Sequence, residues 1–296
     1  ISSAASDVYK RQGDEVITTP FTFFATASVV IMAGAKPVFV DVEEDGFCLD
    51  PSKVEAAITD KTKAIHPVHL YGELADMPSF LEISKRNKLL LIEDSAQAHC
   101  ANSWEGNAGS FGKAGWFSFY PTKNMTTSEG GIITTNDEDF ANKCKIIRAH
   151  GMSAQYQHTE FGYNYRMTDI SAAIGREQLK KLPNFNTRRR EIAERYNSEL
   201  SDLVITPKNR RGHVFHQYTI RSDKRDELRE FLLERKINTG IYYPSLLYSY
   251  PSMKEYQSSC PNAEILVKEV LSLPVHPALS DSDVFEVISS IKAFFD

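Results

Sequence analysis

The sequence predicts an α/β fold in which a mostly parallel sheet is flanked by helices, followed by a smaller C-terminal α+β domain. From Gly13 onward, short apolar runs alternate with longer segments whose apolar residues recur every three or four positions. Short apolar runs are typical of strands, periodic segments are typical of helices, and their alternation favours a parallel sheet. Residues 89–92 are apolar on both faces, as expected of a strand in the middle of such a sheet.

The elements of the first half follow in chain order, each strand with a helical segment or a turn after it. The predicted strands are 16–18, 37–40, 64–68, 89–92, 116–119 and 131–135, and the predicted helices are 24–32, 52–58, 77–86 and 137–148. Two further helices are predicted at 167–179 and 187–200. The second carries four arginines, Arg188, Arg189, Arg190 and Arg195, and we expect it to link two domains.

The pattern of predicted strands and helices changes after this linker. A strand at 215–220, a helix at 225–235, an aromatic turn at Tyr242-Tyr243-Pro244 and closing helices at 263–271 and 281–295 predict an α+β unit. We therefore expect a large domain over 13–186 and a small domain over 187–296. Residues 1–12 lack a starting Met and any periodicity that continues into Gly13, so they are interpreted as a foreign or unreliable segment.

Composition excludes several classes of protein. The 296 residues carry a net charge of -5, from 34 Lys and Arg against 39 Asp and Glu, so a general nucleic-acid-binding surface is not expected. The longest apolar stretch, 25–35, is far shorter than the roughly 20 residues of a membrane span. The four cysteines form no CxxC pair and no histidine pair has a third ligand nearby, which predicts a reduced, cytoplasmic protein without a metal site.

Two strand ends carry the residues most suited to chemistry. The apolar run 89–92 breaks into Glu93 and Asp94, and the strand ending near Phe119 is followed by Pro121 and Lys123. Ligands of parallel sheets bind beyond the carboxyl ends of the strands, so both ends are candidates for one site. A carboxylate there can cap a helix, pair with a base or hold a cationic ring nitrogen, and a desolvated lysine can act as a nucleophile or lie exposed on a loop.

Together these motifs resemble a known family. EDSAQAH, which contains Asp94 and Gln97, and SFYPTKN, which contains Ser118 and Lys123, are similar to stretches of the DegT/DnrJ/EryC1/StrS aminotransferases, which use pyridoxal 5'-phosphate (PLP). Further similar stretches occur in the same order and extend the resemblance from Gly13 to the C-terminus: GDEVITTPFTFFATA, GAKPVFVDV, AIHPVHLYG, RAHG, GYNYRMTDISAAIG and RRREIAERYN. The resemblance implies the type I fold of PLP-dependent transferases, with the cofactor in the large domain.

The resemblance also implies roles for individual residues. Lys123 would form the internal Schiff base with PLP and then move the proton of the substrate, and Asp94 would keep the pyridine nitrogen protonated. Gln97 would contact the phenolic oxygen, Ser118 the phosphate, and Phe23 would stack on the ring. Taken alone, Phe23 could equally be a core residue and Ser118 a strand residue bonded to backbone.

A dimer is implied by one further position. Asn164 of GYN would reach the phosphate bound by a neighbouring subunit, which implies a homodimer with shared active sites; alternatively, Asn164 could only turn the chain before the helix near Met167. The family also carries an SGT-type phosphate-binding turn upstream of GDEV, so the chain is expected to be truncated at its N-terminus. Tyr242 stands where the family often has His before Tyr-Pro.

The predicted function is transfer of an amino group, from glutamate as the expected donor, to a keto-sugar linked to a nucleotide diphosphate. Sugar dehydratases of the same family are an alternative, but they typically replace the Schiff-base lysine with histidine, and Lys123 argues against that. A catalytically silent or regulatory binding protein is a second alternative. A nicotinamide-dependent oxidoreductase would need a Gly-rich turn after an early strand, and none is present from Gly13 onward.

Overall fold

The computed structural model describes residues 13–296, so the predicted foreign segment 1–12 lies outside the described residues. Six strands form one sheet in the order β2-β1-β3-β4-β5-β6. Their bounds are β1 Glu15–Thr18, β2 Lys36–Phe39, β3 Thr62–Ile65, β4 Leu90–Asp94, β5 Ala114–Ser118 and β6 Gly131–Thr134. Neighbouring strands are parallel except for β6, which runs antiparallel to β5. The predicted mostly parallel α/β sheet is confirmed.

The register of the sheet brings the two predicted strand ends together. Asp94, the last residue of β4, lies directly beside Trp116 of β5, and Ser118 ends β5 two residues later. Because β4 and β5 are parallel neighbours, the residues that follow both strands leave the sheet at the same edge. This register places Asp94 and the Lys123 loop side by side.

Three of the four helices in the N-terminal half begin at an aspartate side-chain cap, whereas the helix Ala25–Met32 has no side-chain cap. Asp76 accepts a hydrogen bond from Ser79 N (3.2 Å) at the start of the helix Met77–Asn87, and Asp137 accepts one from Phe140 N (2.7 Å) at the start of the helix Glu138–Ile147. Such caps satisfy backbone N–H groups that have no partner inside the helix. The helices of this half are α1 Ala25–Met32, α2 Pro51–Val54, α3 Met77–Asn87 and α4 Glu138–Ile147, and a short hairpin follows, formed by β7 Met152–Ala154 and β8 Gln157–His158.

The two predicted helices at 167–179 and 187–200 are one helix, and the predicted break is wrong. Helix α5 runs over Asp169–Leu200, with Thr168 as its N-cap and Pro183 inside it. A proline removes one helical hydrogen bond and favours a break. Side chains buried on both sides of Pro183, Leu182 and Ile192 among them, hold the helix against the rest of the chain. The predicted domain boundary at residue 187 falls within this helix.

The C-terminal part forms a two-stranded antiparallel sheet covered by helices. Strand β9 Tyr218–Arg221 pairs with β10 Val270–Leu273, and the helices are α6 Arg225–Glu234, α7 Pro261–Glu269 and α8 Asp281–Phe295. The predicted helix at 263–271 therefore ends at Glu269, because the next four residues are all buried as a strand. A capping box between Ser280 and Asp283 starts α8.

The C-terminal part contributes to two hydrophobic cores. One core packs Leu246, Leu247 and Leu266 together with side chains of the N-terminal half such as Ile17 and Phe80. A second core lies between the end of α5, the β9–β10 sheet and α8. The division into a large and a small domain stays a prediction.

Among the described residues, no helix is both long enough and apolar enough to span a membrane.

An ion-pair cluster joins the two halves away from the sheet edge. Arg210 contacts Glu43 (Nη2–Oε2, 2.9 Å) and Glu73 (Nε–Oε1, 2.9 Å), and Lys208 pairs with Asp45. Glu73 is buried, and burial raises its pKa from 4.5 to about 7 although Arg210 opposes the shift. The folded chain therefore retains a proton on Glu73 over a pH range in which the unfolded chain has lost it.

This pKa shift predicts a pH-dependent stability. Because the folded state binds the proton more tightly, the free energy of unfolding falls as the pH rises from 4.5 to about 7. Glu73→Gln should remove up to about 3 kcal/mol of that pH dependence. Urea unfolding at about pH 5 and about pH 8 measures it, with the exposed Glu82→Gln as the control. Identical pH profiles for the parent protein and Glu73→Gln would contradict this assignment.

Candidate active site

Asp94 is a buried carboxylate held in a fixed orientation at the end of β4. Its Oδ2 accepts a hydrogen bond from Thr26 Oγ1 (2.8 Å), and its Oδ1 accepts one from Ala96 N (3.1 Å). Only 7% of the residue is exposed. Each carboxylate oxygen can accept more than one hydrogen bond, so Asp94 can still receive a bond from a ligand N–H. The residue suits the recognition of a cationic nitrogen.

Glu93, the other acid of this strand end, has a structural role. Its carboxylate accepts hydrogen bonds from the backbone N–H groups of Gly109, Phe111 and Gly112 (2.7–2.8 Å) and lies 3.1 Å from His69 Nε2. These contacts fix the loop that leads into β5. Since successive residues of a strand face opposite sides of the sheet, Glu93 supports the fold on the face away from Asp94.

Lys123 lies in a turn just after β5. Its backbone N–H donates to Tyr120 O (3.0 Å), and Pro121 between them cannot continue the strand. The side chain is half-buried. Burial lowers the pKa of the Lys123 amine, and the nearby charge of Asp94 opposes that shift. The amine is therefore closer to its neutral, nucleophilic form than an exposed lysine, and it lies within the electrostatic field of Asp94.

Gln97 and Phe23 lie near the same place through Tyr243. Gln97 Oε1 accepts from Tyr71 N (2.7 Å), and Gln97 Nε2 donates to Tyr243 Oη (3.0 Å). The Phe23 ring lies 6.2 Å from the Tyr243 ring and is 59% exposed. Phe23 is thus an accessible ring at the site and not the core residue that its sequence context also allowed. Burial raises the pKa of Tyr243, and the charge of Asp94 adds to that effect, so its phenol stays protonated.

Ser118 ends β5 on the path to Lys123. Its hydroxyl accepts a hydrogen bond from Tyr120 N (3.3 Å), which is a local turn contact. His99 packs beside it, against the Phe117 and Phe119 rings (5.3 and 5.8 Å between centroids). Burial lowers the pKa of His99 to about 4, so its ring is neutral. Because the Ser118 oxygen only accepts in this turn contact, its O–H can still donate a hydrogen bond to a phosphate oxygen.

Asn164 lies apart from the other candidates. It is exposed and forms an isolated antiparallel bridge with Ala149. Within residues 13–296 of one chain, no hydrogen bond or ion pair connects it to Lys123 or Asp94. Its neighbours Phe161, Tyr163 and Tyr165 are exposed too, Phe161 completely (101%).

Two residues that contact the candidate site residues, Thr26 and Tyr243, have no role in the sequence predictions. Thr26, which orients Asp94, lies within the quoted segment GDEVITTPFTFFATA, and Tyr243 lies in the aromatic turn, so both were in view without a role. Their partners are 68 and 146 residues away along the chain. No local pattern marks such a contact.

The sequence pattern of the DegT/DnrJ/EryC1/StrS aminotransferase family matches residues 3–292. Among curated proteins, the chain is 47% identical to the pleiotropic regulatory protein of Geobacillus stearothermophilus, over 96% of this chain and 79% of that protein. It is 40% identical to the UDP-N-acetyl-3-dehydro-alpha-D-glucosamine 3-aminotransferase of Acidithiobacillus ferrooxidans, over 95% of this chain and 77% of that enzyme. It is 38% identical to the GDP-perosamine synthase of Escherichia coli O157:H7, over 96% of this chain and 80% of that enzyme.

Solved structures agree with these matches. A DegT DnrJ EryC1 StrS aminotransferase from Brucella abortus superposes with a TM-score of 0.96 at 35% identity, over 99% of this chain and 83% of that chain. NtdA from Bacillus subtilis, solved with bound PMP, superposes with a TM-score of 0.92 at 30% identity, over 99% of this chain and 70% of that chain. The predicted fold and the predicted family of aminotransferases are confirmed, and PMP, the amino form of PLP, agrees with the predicted cofactor.

The effect of the Asp94 charge on the pKa of the Lys123 amine can be measured in the cofactor-free protein. Asp94→Asn keeps the shape of the side chain but removes its charge, so the pKa of the Lys123 amine should fall further. Acylation of the cofactor-free protein over a range of pH, followed at the Lys123 peptide by mass spectrometry, gives this pKa. Asp41→Asn, another buried aspartate, which caps α7, is the matched control and should leave it unchanged. An equal pH midpoint in parent and Asp94→Asn proteins would show that the two groups do not interact.

Proposed function

Because this chain belongs to the DegT/DnrJ/EryC1/StrS aminotransferase family, we propose that Lys123 and Asp94 are the centre of a PLP site. There the protein moves an amino group from a donor, glutamate, to a keto-sugar linked to a nucleotide diphosphate. The observation that carries the assignment is the convergence of a lysine with a lowered pKa and an oriented carboxylate at one sheet edge. Named relatives that act on UDP- and GDP-linked sugars support the substrate class.

The residues of the site fit the cofactor. Lys123 Nζ is the amine that would hold PLP covalently, and Asp94 is the carboxylate for the pyridine nitrogen. The exposed ring of Phe23 offers an apolar face for stacking, and Ser118 offers a hydroxyl for the phosphate. Gln97, fixed by Tyr71 and Tyr243, retains one N–H for the phenolic oxygen.

Each side chain contributes a defined chemical effect. Bound PLP supplies an electron sink that stabilises negative charge on the substrate carbon. Asp94 would keep the pyridine nitrogen of the cofactor protonated, and the hydrogen bond from Thr26 holds that carboxylate in its orientation. Burial lowers the pKa of the Lys123 amine, which favours the neutral form that would accept a proton from the substrate carbon and return it. The hydrogen bond between Gln97 Nε2 and Tyr243 Oη fixes both side chains beside the site.

The proposal includes a homodimer with shared sites. Phe161, Tyr163, Ile170 and Ile174 expose a large apolar area around Asn164 in the single chain. Such an area is typical of a protein interface, and a second copy would cover it. Asn164 would then face the phosphate region of the partner subunit. The cytoplasmic location remains a prediction; Cys48, Cys100 and Cys260 are free thiols, as a reducing compartment favours.

Loss of the amine tests the assignment of Lys123. Purified parent protein with PLP should develop a visible absorption band, and with L-glutamate and a UDP- or GDP-linked keto-sugar it should release 2-oxoglutarate. Lys123→Ala should lose the band and about 10³-fold or more of the activity. Lys61→Ala, a change at an exposed lysine, is the control. A Lys123→Ala protein with normal turnover would defeat the assignment, and a parent protein that stays colourless with PLP would favour the silent binding protein.

Asp94→Asn should bind PLP but turn over about 100-fold more slowly, because the charge that stabilises the ring proton is gone. Thr26→Val should have a smaller effect in the same direction, since Asp94 loses one orienting bond. Both rates follow from 2-oxoglutarate release at saturating PLP. An Asp94→Asn protein with the parent rate would assign Asp94 to capping alone.

If the sites are shared, a chain that lacks Lys123 and a chain that lacks Asn164 should complement each other in a heterodimer. In a heterodimer of a Lys123→Ala chain and an Asn164→Ala chain, one site would receive Lys123 and Asn164 intact and the other would lose both. Co-expression with two affinity tags should therefore give about half of the parent activity. If each site is built within one chain, both sites are damaged, and the heterodimer will not exceed half the activity of the Asn164→Ala homodimer.

A further inference from the structure

A buried polar cluster lies directly behind Lys123. It consists of Asn124, Asn186 and His216, whose exposed fractions are 4%, 2% and 6%; we name it the Asn124 cluster. Asn124 Nδ2 donates to Asn186 Oδ1 (2.9 Å) and to Val214 O (3.0 Å). Asn124 Oδ1 lies 3.2 Å from His216 Nδ1. Both N–H bonds of the amide and its carbonyl oxygen are thus engaged.

The partners of Asn124 come from parts of the chain that are far apart in sequence. Asn186 belongs to the long helix α5 and also donates to His99 O (2.9 Å). Val214 and His216 belong to the segment that enters β9 in the C-terminal part. One amide therefore joins the Lys123 turn to α5 and to the C-terminal part. A buried amide with all its bonds made is costly to move, because any shift leaves polar groups unpaired.

The chemistry of His216 fixes the direction of its bond. Asn124 Oδ1 can only accept, so His216 Nδ1 must carry the proton. Burial lowers the pKa of His216 well below 6.5, and the charges of Lys123 and Arg189 add to the effect. His216 is therefore neutral and lies within the field of the Lys123 amine. The Arg189 guanidinium donates to Phe215 O (3.0 Å) and His216 O (3.4 Å), which fixes this segment to α5.

We propose that Asn124 is a positioning residue that holds the Lys123 turn in place and connects it to α5 and the His216 segment. The inference rests on the proposed function, since the position of Lys123 Nζ matters for its reaction with PLP. It goes beyond that function in making the C-terminal part a determinant of lysine reactivity. The cluster contacts neither substrate nor cofactor; it acts through the residue next to it.

The experiment compares two variants of one residue. His216→Asn keeps an N–H donor at the position of Nδ1, whereas His216→Leu replaces it with an apolar side chain that has no donor. Asn124→Ala removes all three contacts. Ser272→Ala is the control for a buried polar loss in the same half of the molecule, because Ser272 bonds Thr219 Oγ1 (2.8 Å) and not the cluster.

Two readouts separate positioning from general stability. One is the rate at which PLP becomes attached to the full chain, seen as growth of the visible band. The other is the pKa of Lys123 in the cofactor-free chain, from acylation over a range of pH. His216→Leu and Asn124→Ala should slow attachment about tenfold and shift the Lys123 pKa, whereas His216→Asn should restore both. Ser272→Ala should lower the unfolding temperature without moving either.

The proposal is overturned if His216→Leu and Asn124→Ala lower the unfolding temperature but leave attachment and the Lys123 pKa as in Ser272→Ala. If Asn124→Ala does not fold, the two His216 variants still decide, because Asn and Leu are similar in shape and only Asn has an N–H donor. Failure of the proposed function has a different signature: the parent chain would not attach PLP at Lys123. The Lys123 pKa in the cofactor-free chain would still report on the cluster in that case.

Discussion

The proposed site depends on the electrostatic interaction between the Asp94 carboxylate and the Lys123 amine at one edge of the sheet. Burial lowers the pKa of the amine, and Asp94 limits that shift. The parallel register of β4 and β5 brings the two groups to the same edge. Neither group would have its required chemistry alone: an exposed lysine stays protonated, and an exposed carboxylate recognises a cation only weakly.

The surrounding structure keeps this pair in place from several directions. Thr26 of α1 orients Asp94, Glu93 fixes the loop before β5, and Asn124 ties the Lys123 turn to α5. Helix α5 continues into the core shared with β9, β10 and α8. The C-terminal part is therefore connected to the Lys123 turn by buried contacts, and Tyr243 of the C-terminal part also bonds Gln97.

The sequence predicted the parts of this arrangement that depend on neighbouring residues. An apolar run that ends in Asp94, and Pro121 before Lys123, mark strand ends locally, so the α/β fold and the position of both residues could be predicted. Their roles came from the family resemblance. The break at Pro183 was wrong because a local rule opposed tertiary packing, which holds α5 together on both sides of the proline. Thr26 and Tyr243 were missed because their partners lie 68 and 146 residues away, a separation that only the folded chain resolves.

The assignment of Lys123 is tested most directly by identifying the lysine that carries the cofactor. Borohydride reduction of the PLP-loaded protein, followed by proteolysis and mass spectrometry, locates the phosphopyridoxyl group on one peptide. We expect this group on Lys123 and on no other lysine. A label on another lysine, or no covalent label in a protein that binds PLP, would contradict the central claim.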